Sequence, residues 1–163
     1  MSKFGIGALV LLFLSAEVLA DDFNGKVIEV IDGNTFKILD SDDQTYTVVL
    51  MGIDCPEPGQ EYSEEALKCL EKIVLGKKIT VTSRGKDRLG NTLGEVIIDG
   101  KKDPRVDLLT EGLAWTAEKH PSADLELLRV SASAKGKGLW KQNNPTPPWV
   151  YRREQSMLQP KSS

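Results

Sequence analysis

The chain has 163 residues and a formal net charge of −3. That length fits one domain with a sizeable core that needs no staples. The mildly acidic balance argues against a general duplex-DNA binder, whose affinity comes from neutralising phosphates, and leaves room for a local basic groove at most.

Residues 1–20 read as a secretory signal peptide. Lys3 is the positive start, Phe4 to Leu14 is almost wholly apolar or glycine, and Val18-Leu19-Ala20 offers a cleavage site after Ala20. The apolar core is shorter than the run of about 20 residues that spans a bilayer, so a cleaved leader is preferred to an anchor. An exported protein, periplasmic or secreted and without a stable membrane span after cleavage, is expected.

The domain is placed at residues 21–142. Gly25 to Ile31 reads as a strand, Asp32-Gly33-Asn34 as a turn, Thr35 to Leu39 as a second strand and Thr45 to Gly52 as a third. Ser63 is the expected N-cap of a first helix, with Glu64 and Glu65 in its first turn and Gly76 ending it. Lys77 to Ser83 and Thr92 to Ile98 are strands four and five, joined by the Asp87-Arg88-Leu89-Gly90-Asn91 connection. Asp103-Pro104 opens a second helix as N-cap and first-turn proline. A third helix begins at Pro121-Ser122 and stops before Gly136 and Gly138. Residues 143–163 read as a proline-rich tail that frays. This order gives a β-rich α+β fold: a five-stranded Greek-key barrel of the OB type with three helices.

The chemistry centres on Gly52-Ile53-Asp54-Cys55-Pro56-Glu57. Pro56 has no N–H for a ladder, so it ends the strand. Asp54 and Glu57 flank that stop, and paired carboxylates at a strand end can hold a hard cation and orient a water. The plain alternative is two solvated acids on a loop. Cys55 and Cys69 are the two cysteines, and they are expected to be bridged or close, with the disulfide left open by spacing alone. His120, before Pro121, reads as a surface-loop residue, and Trp115 and Trp140 as packing residues.

In order and spacing the motifs resemble the thermonuclease, or staphylococcal-nuclease-like, family. The matching pieces are Val30 to Thr35, Gly52 to Glu57, Asp87 to Gly94, Leu109 to Trp115 and Lys137 to Trp140, with Pro147 to Arg152 similar to the tail of many bacterial members. The resemblance implies a calcium-dependent phosphodiesterase acting on DNA and RNA, with single-stranded nucleic acid or nucleotides as partners and a monomeric protein. It assigns Glu57 as general base or water positioner, and calcium to Asp54, Asn34 and the Cys55 carbonyl. It also implies two phosphate-binding arginines, whose positions here hold Val49 and Asn91.

Those departures decide the functional expectation. A guanidinium fork stabilises charge on a phosphodiester transition state, and valine cannot. Asn34 keeps an oxygen for calcium but lacks the charge of aspartate, so any calcium is expected to be weakly held. Arg84, Lys86 and Arg88 lie close in sequence as substitute substrate contacts, although a solvated hairpin face is the plainer account of them. The expected function is an exported, degenerate nuclease with little phosphodiesterase activity and residual nucleic-acid or ligand binding. The alternatives are an active calcium-dependent endonuclease and an envelope interaction module that docks through its tail.

Overall fold

A computed structural model of the chain describes residues 22–158. Residues 1–20, read from the sequence as a signal peptide, lie outside them. Among the described residues, no helix is long and apolar enough to cross a membrane.

Five strands close a barrel in the order β1 (Asp22–Val30), β2 (Thr35–Leu39), β3 (Thr45–Leu50), β6 (Thr92–Ile98) and β5 (Lys78–Lys86), with β1 also paired to β5. All pairings are antiparallel except β3 with β6. Alternation builds the interior. In β6 the residues Thr92, Gly94, Val96 and Ile98 point inward, and in β2 Phe36 and Ile38 do so. Gly94 has to be small: a Cβ there would lie 2.7 Å from Cγ1 of Val81 on the neighbouring strand β5. Bulges between Val27 and Glu29 and between Ser83 and Gly85 bend the two strands that close the sheet.

Helix α1 (Ser63–Val74) buries Ala66, Leu70 and Val74, a stripe at four-residue spacing packed on the barrel core. Its N-cap is Tyr62, in a left-handed conformation without a side-chain cap, so Ser63 is the first helical residue rather than the cap. Helix α2 (Pro104–Thr110) starts as expected: the Asp103 carboxylate accepts from the Arg105 backbone N–H at 2.9 Å. Helix α3 (Ala123–Ala134) follows.

Two features, the end of the third strand and the tail, depart from expectation, and a third, the state of the cysteines, is one that spacing alone leaves open. The third strand stops at Leu50. After a turn with Gly52 at φ 88°, a two-residue strand β4 (Ile53–Asp54) pairs with β7 (Trp115–Thr116). The cysteines are both free thiols. Cys55 is buried and its Sγ donates to the Gly33 carbonyl at 3.2 Å, while Cys69 packs half-buried against the same core. Finally, the tail is not frayed over the described residues. Pro148–Leu158 form a fourth helix, α4, which raises the helix count from three to four.

Candidate active site

The Asp32-Gly33-Asn34 turn sits directly on the Cys55 loop. A Cβ at Gly33 would lie 2.7 Å from both the Ala66 and the Cys55 Cβ atoms, so only glycine allows the turn to pack against α1 and the loop together. The turn is locked from within, because the Asn34 backbone N–H donates to Asp32 Oδ1 at 2.9 Å. The Asn34 carbonyl accepts from Leu50 N at 2.8 Å, which ties it to the end of β3. Two motifs separated in sequence therefore share one mouth of the barrel.

That mouth opens into a cleft of about 930 Å³, and Asn34, Val49, Asp54, Glu57, Arg88 and Asn91 all line it. The structure thus brings together the expected base position, the expected metal position and both positions where the family resemblance places arginines. Arg84 and Lys86 are not on this wall. Arg84 turns instead to Glu95, at 3.2 Å. Val49 presents an apolar side chain beside Leu93 and Met51. Asn91 is tied into its own hairpin: its backbone N–H donates to Asp87 Oδ1 at 2.9 Å and its Nδ2 to Asp87 Oδ2 at 2.8 Å. Desolvation pushes the Asp87 carboxyl up, but the donors from Asn91, Leu89 and Gly90 outweigh it and hold the group below its usual range. Asn91 is therefore a loop-closing residue here.

A residue outside the expected site dominates its electrostatics. Arg152, on α4, reaches into the cleft. Its Nη2 donates to Asp54 Oδ2 at 2.7 Å and its Nη1 to Asp54 Oδ1 at 3.1 Å, a two-pronged fork. Nη1 also donates to Glu57 Oε1. The Asp54 side chain is only 17 % exposed. Burial raises its pKa above the ordinary aspartate value; Arg152 opposes that rise without cancelling it, and the nearby Asp32 and Glu118 charges add to it. The hydrogen bond that Arg152 donates to Asp54, followed by the one it donates to Glu57, keeps its guanidinium even more firmly protonated than usual, against the pull of desolvation. Burial, then the Asp54 charge, pushes the Cys55 thiol well up, so it is an inert packing group rather than a nucleophile.

Several contacts hold α4 in place. Trp149 packs edge-on to Trp115 at 5.8 Å, and Trp115 packs on Trp140 at 4.5 Å, so the tryptophans serve packing, as expected. Glu57 N–H donates to Gln60 Oε1 at 2.8 Å, and Gln60 Nε2 donates to the Thr146 carbonyl at 3.1 Å, which links the catalytic-position loop to the proline-rich segment. Arg153 pairs with Glu118 at 3.1 Å. A readable signal for this helix did exist: proline is favoured in the first helical turn, and Pro148 occupies it.

The residues present do not fit a calcium ion as they stand. Calcium needs several oxygens with their lone pairs free. Both Asp54 oxygens and one Glu57 oxygen face a guanidinium, and Asn34 is neutral. Among the described residues, no group of three or more His, Cys, Asp or Glu side chains is placed to hold a metal.

Comparison with known proteins agrees with this architecture. Residues 47–142 match the family model described as staphylococcal nuclease homologue. A protein of Escherichia coli O157:H7 named an uncharacterized endonuclease is 34 % identical, over 88 % of this chain and 94 % of its own length. A Shigella flexneri protein named micrococcal nuclease is 32 % identical, over 91 % of this chain and 90 % of its own. An Arabidopsis thaliana staphylococcal-like nuclease is 36 % identical over 66 % of this chain and 33 % of its own length.

Proposed function

The chain belongs to the staphylococcal nuclease homologue family, and we propose that this member is an exported, degenerate nuclease. It hydrolyses phosphodiesters slowly while keeping a cleft able to take single-stranded nucleic acid or nucleotides. One observation carries the reading: neither position where the family resemblance places an arginine offers a guanidinium to the Asp54–Glu57 pair, because Val49 is apolar and the Asn91 amide is tied to Asp87. A phosphate entering the cleft would meet carboxylates without the preorganised donors that such a transition state requires. Losing one donor of this kind costs about 10²–10³ in rate. Arg152 does not make good the loss in this arrangement, since its fork is taken up by Asp54 and Glu57.

Chain residues still have definable tasks. Glu57 sits where a water could be oriented, and its backbone is fixed by Gln60. Arg88 lines the cleft and is exposed, which makes it a contact for a phosphate backbone. Arg88 and Arg152 also support the second reading, an active endonuclease that takes its charge stabilisers from outside the barrel positions. A cleavage assay on purified chain lacking residues 1–20 separates the two, with single-stranded DNA and RNA as substrates and calcium present or absent. Slow cleavage in both conditions supports the first reading. Fast, calcium-dependent cleavage that is lost in Glu57→Gln replaces it with the second.

A further inference from the structure

We propose that Arg152 is the resident counter-cation of the Asp54–Glu57 pair, so that docked α4 and a divalent cation exclude each other from the same two carboxylates. The inference builds on the reading of the centre as lacking its phosphate-facing arginines, but it concerns what fills the centre and not how fast it cleaves.

Charge and geometry lead to it. Asp54 and Glu57 approach each other at the cleft mouth with Asp32 close enough to perturb Asp54. Such a cluster of acids demands a cation. The chain supplies one itself: Arg152, 98 residues from Asp54 in sequence, places one nitrogen on each Asp54 oxygen and shares Nη1 with Glu57. A cation bound at Asp54 would have to share the space and the lone pairs that the guanidinium uses.

The rest of α4 shows why this occupant is displaceable. Its N-terminal turn is anchored by buried Pro148 and by Trp149 on Trp115. From Arg152 to Leu158 every residue is exposed, and Met157 and Leu158 are 79 % and 76 % exposed. This half of the helix has no apolar face on the barrel. It is held by ion pairs from Arg152 and Arg153, whose own side chains are about half-exposed to water. A helix of 11 residues is marginal by itself, so release of Arg152 frees the outer turns as well. Reciprocity then fixes the form of the coupling: docking of α4 weakens cation binding by the factor by which the cation weakens docking.

The test uses calcium chloride titrated into the folded chain by calorimetry at constant ionic strength, without nucleic acid. The parent is compared with Arg152→Met, which keeps the stem and removes the charge. It is also compared with Trp149→Ala, which loosens α4 and leaves Arg152 and both carboxylates in place. The expected result is binding at least tenfold tighter for Arg152→Met and about threefold tighter for Trp149→Ala. Equal affinities in all three proteins overturn the proposal. Tightening in Arg152→Met alone also overturns it, because removal of a charge would then act without any competition from the helix. Tightening in Trp149→Ala supports it even if Arg152→Met fails to fold. Neither variant is read by cleavage, so fast hydrolysis by the parent would defeat the degenerate reading and leave this competition standing.

Discussion

Two arginine forks hold the segment that carries the site, Arg105 at Met51 and Arg152 at Asp54 and Glu57. Arg105, in α2, places Nη2 on Asp103 at 2.7 Å, Nε on both Asp103 oxygens at 3.0 Å and Nη1 on the Met51 carbonyl at 2.9 Å. Arg152, in α4, places its fork on Asp54 and Glu57. The first fork is local in sequence and enclosed, with side chains 13 % and 18 % exposed. The second spans the chain, and its guanidinium is the more open one: Arg152 is 48 % exposed, while Asp54 at 17 % is as enclosed as Asp103. The chemistry of the two pairs is the same, but the settings differ. An enclosed fork that also satisfies a backbone carbonyl is part of the frame. A half-exposed fork on the carboxylates of a cleft is an occupant of that cleft.

The largest expected effect concerns what the second fork cannot do. Placing guanidinium groups where the cleft is apolar or tied, in the double variant Val49→Arg/Asn91→Arg, is expected to raise hydrolysis of DNA by about 10² or more. Each single variant is expected to give less than half of that gain on a logarithmic scale, because the two groups act on one phosphate. Initial-rate assays of the four proteins measure it. A double variant no faster than the parent would mean that the Arg152 fork, and not the missing arginines, is limiting.

A smaller effect separates the forks by stability. Arg105→Ala is expected to cost about 2–3 kcal/mol, since it leaves an enclosed carboxylate and the Met51 carbonyl without their charged donor. Arg152→Met is expected to cost less, about 1–2 kcal/mol, because the guanidinium it removes is half-exposed, although Asp54 is as enclosed as Asp103. Urea unfolding monitored by circular dichroism checks both, and equal costs would remove the distinction between frame and occupant.

The smallest effect is in pH. Asp54 has its native pKa raised by burial despite Arg152, so the native state holds more protons than the unfolded chain between the ordinary aspartate value and the raised one. The Asp54 contribution to stability is then fully present below the unfolded pKa and falls as pH rises through the native one. Glu126 behaves in the opposite way: the Arg129 hydrogen bond, helped by the Thr116 hydroxyl and opposed by burial, lowers its pKa. Its contribution is present above the unfolded pKa and is lost as pH falls through the native value. With rising pH, the Tm of Asp54→Asn is therefore expected to gain on the parent, while the Tm of Glu126→Gln falls further behind. Parallel profiles for the two variants would contradict these assignments.

How much of this was legible follows from how local each cause is. The barrel could be read because Phe36 and Ile38, or Val96 and Ile98, repeat with a period of two between turn residues. The α2 cap could be read because Asp103 acts on its own next turn. Tyr62 gives no such signal, since a left-handed cap at a tyrosine runs against residue preference. The β4–β7 pair is two residues long on each side, too short for any alternation to show. The convergence of Asn34, Asp54 and Glu57 could be anticipated from strand-end turns, yet Gly33, which lets those turns touch, reads in sequence only as a turn residue. Arg152 was the hardest to foresee. It lies in a polar stretch after three prolines, and nothing nearby reveals a partner 98 residues away. Counting arginines at the positions where the family resemblance places them gives none, whereas the folded chain brings one to the carboxylates from its end.

The central claim is that Asp54 and Glu57 face a guanidinium from their own chain and lack the donors that would drive hydrolysis. The most direct measurement is the calcium-dependent cleavage rate of single-stranded DNA by the parent, set beside Glu57→Gln under the same conditions. The account predicts slow cleavage by the parent, at least about 10²-fold below the double arginine variant, and a further loss in Glu57→Gln of less than tenfold. Rapid cleavage by the parent that falls by about 10² or more in Glu57→Gln would contradict it.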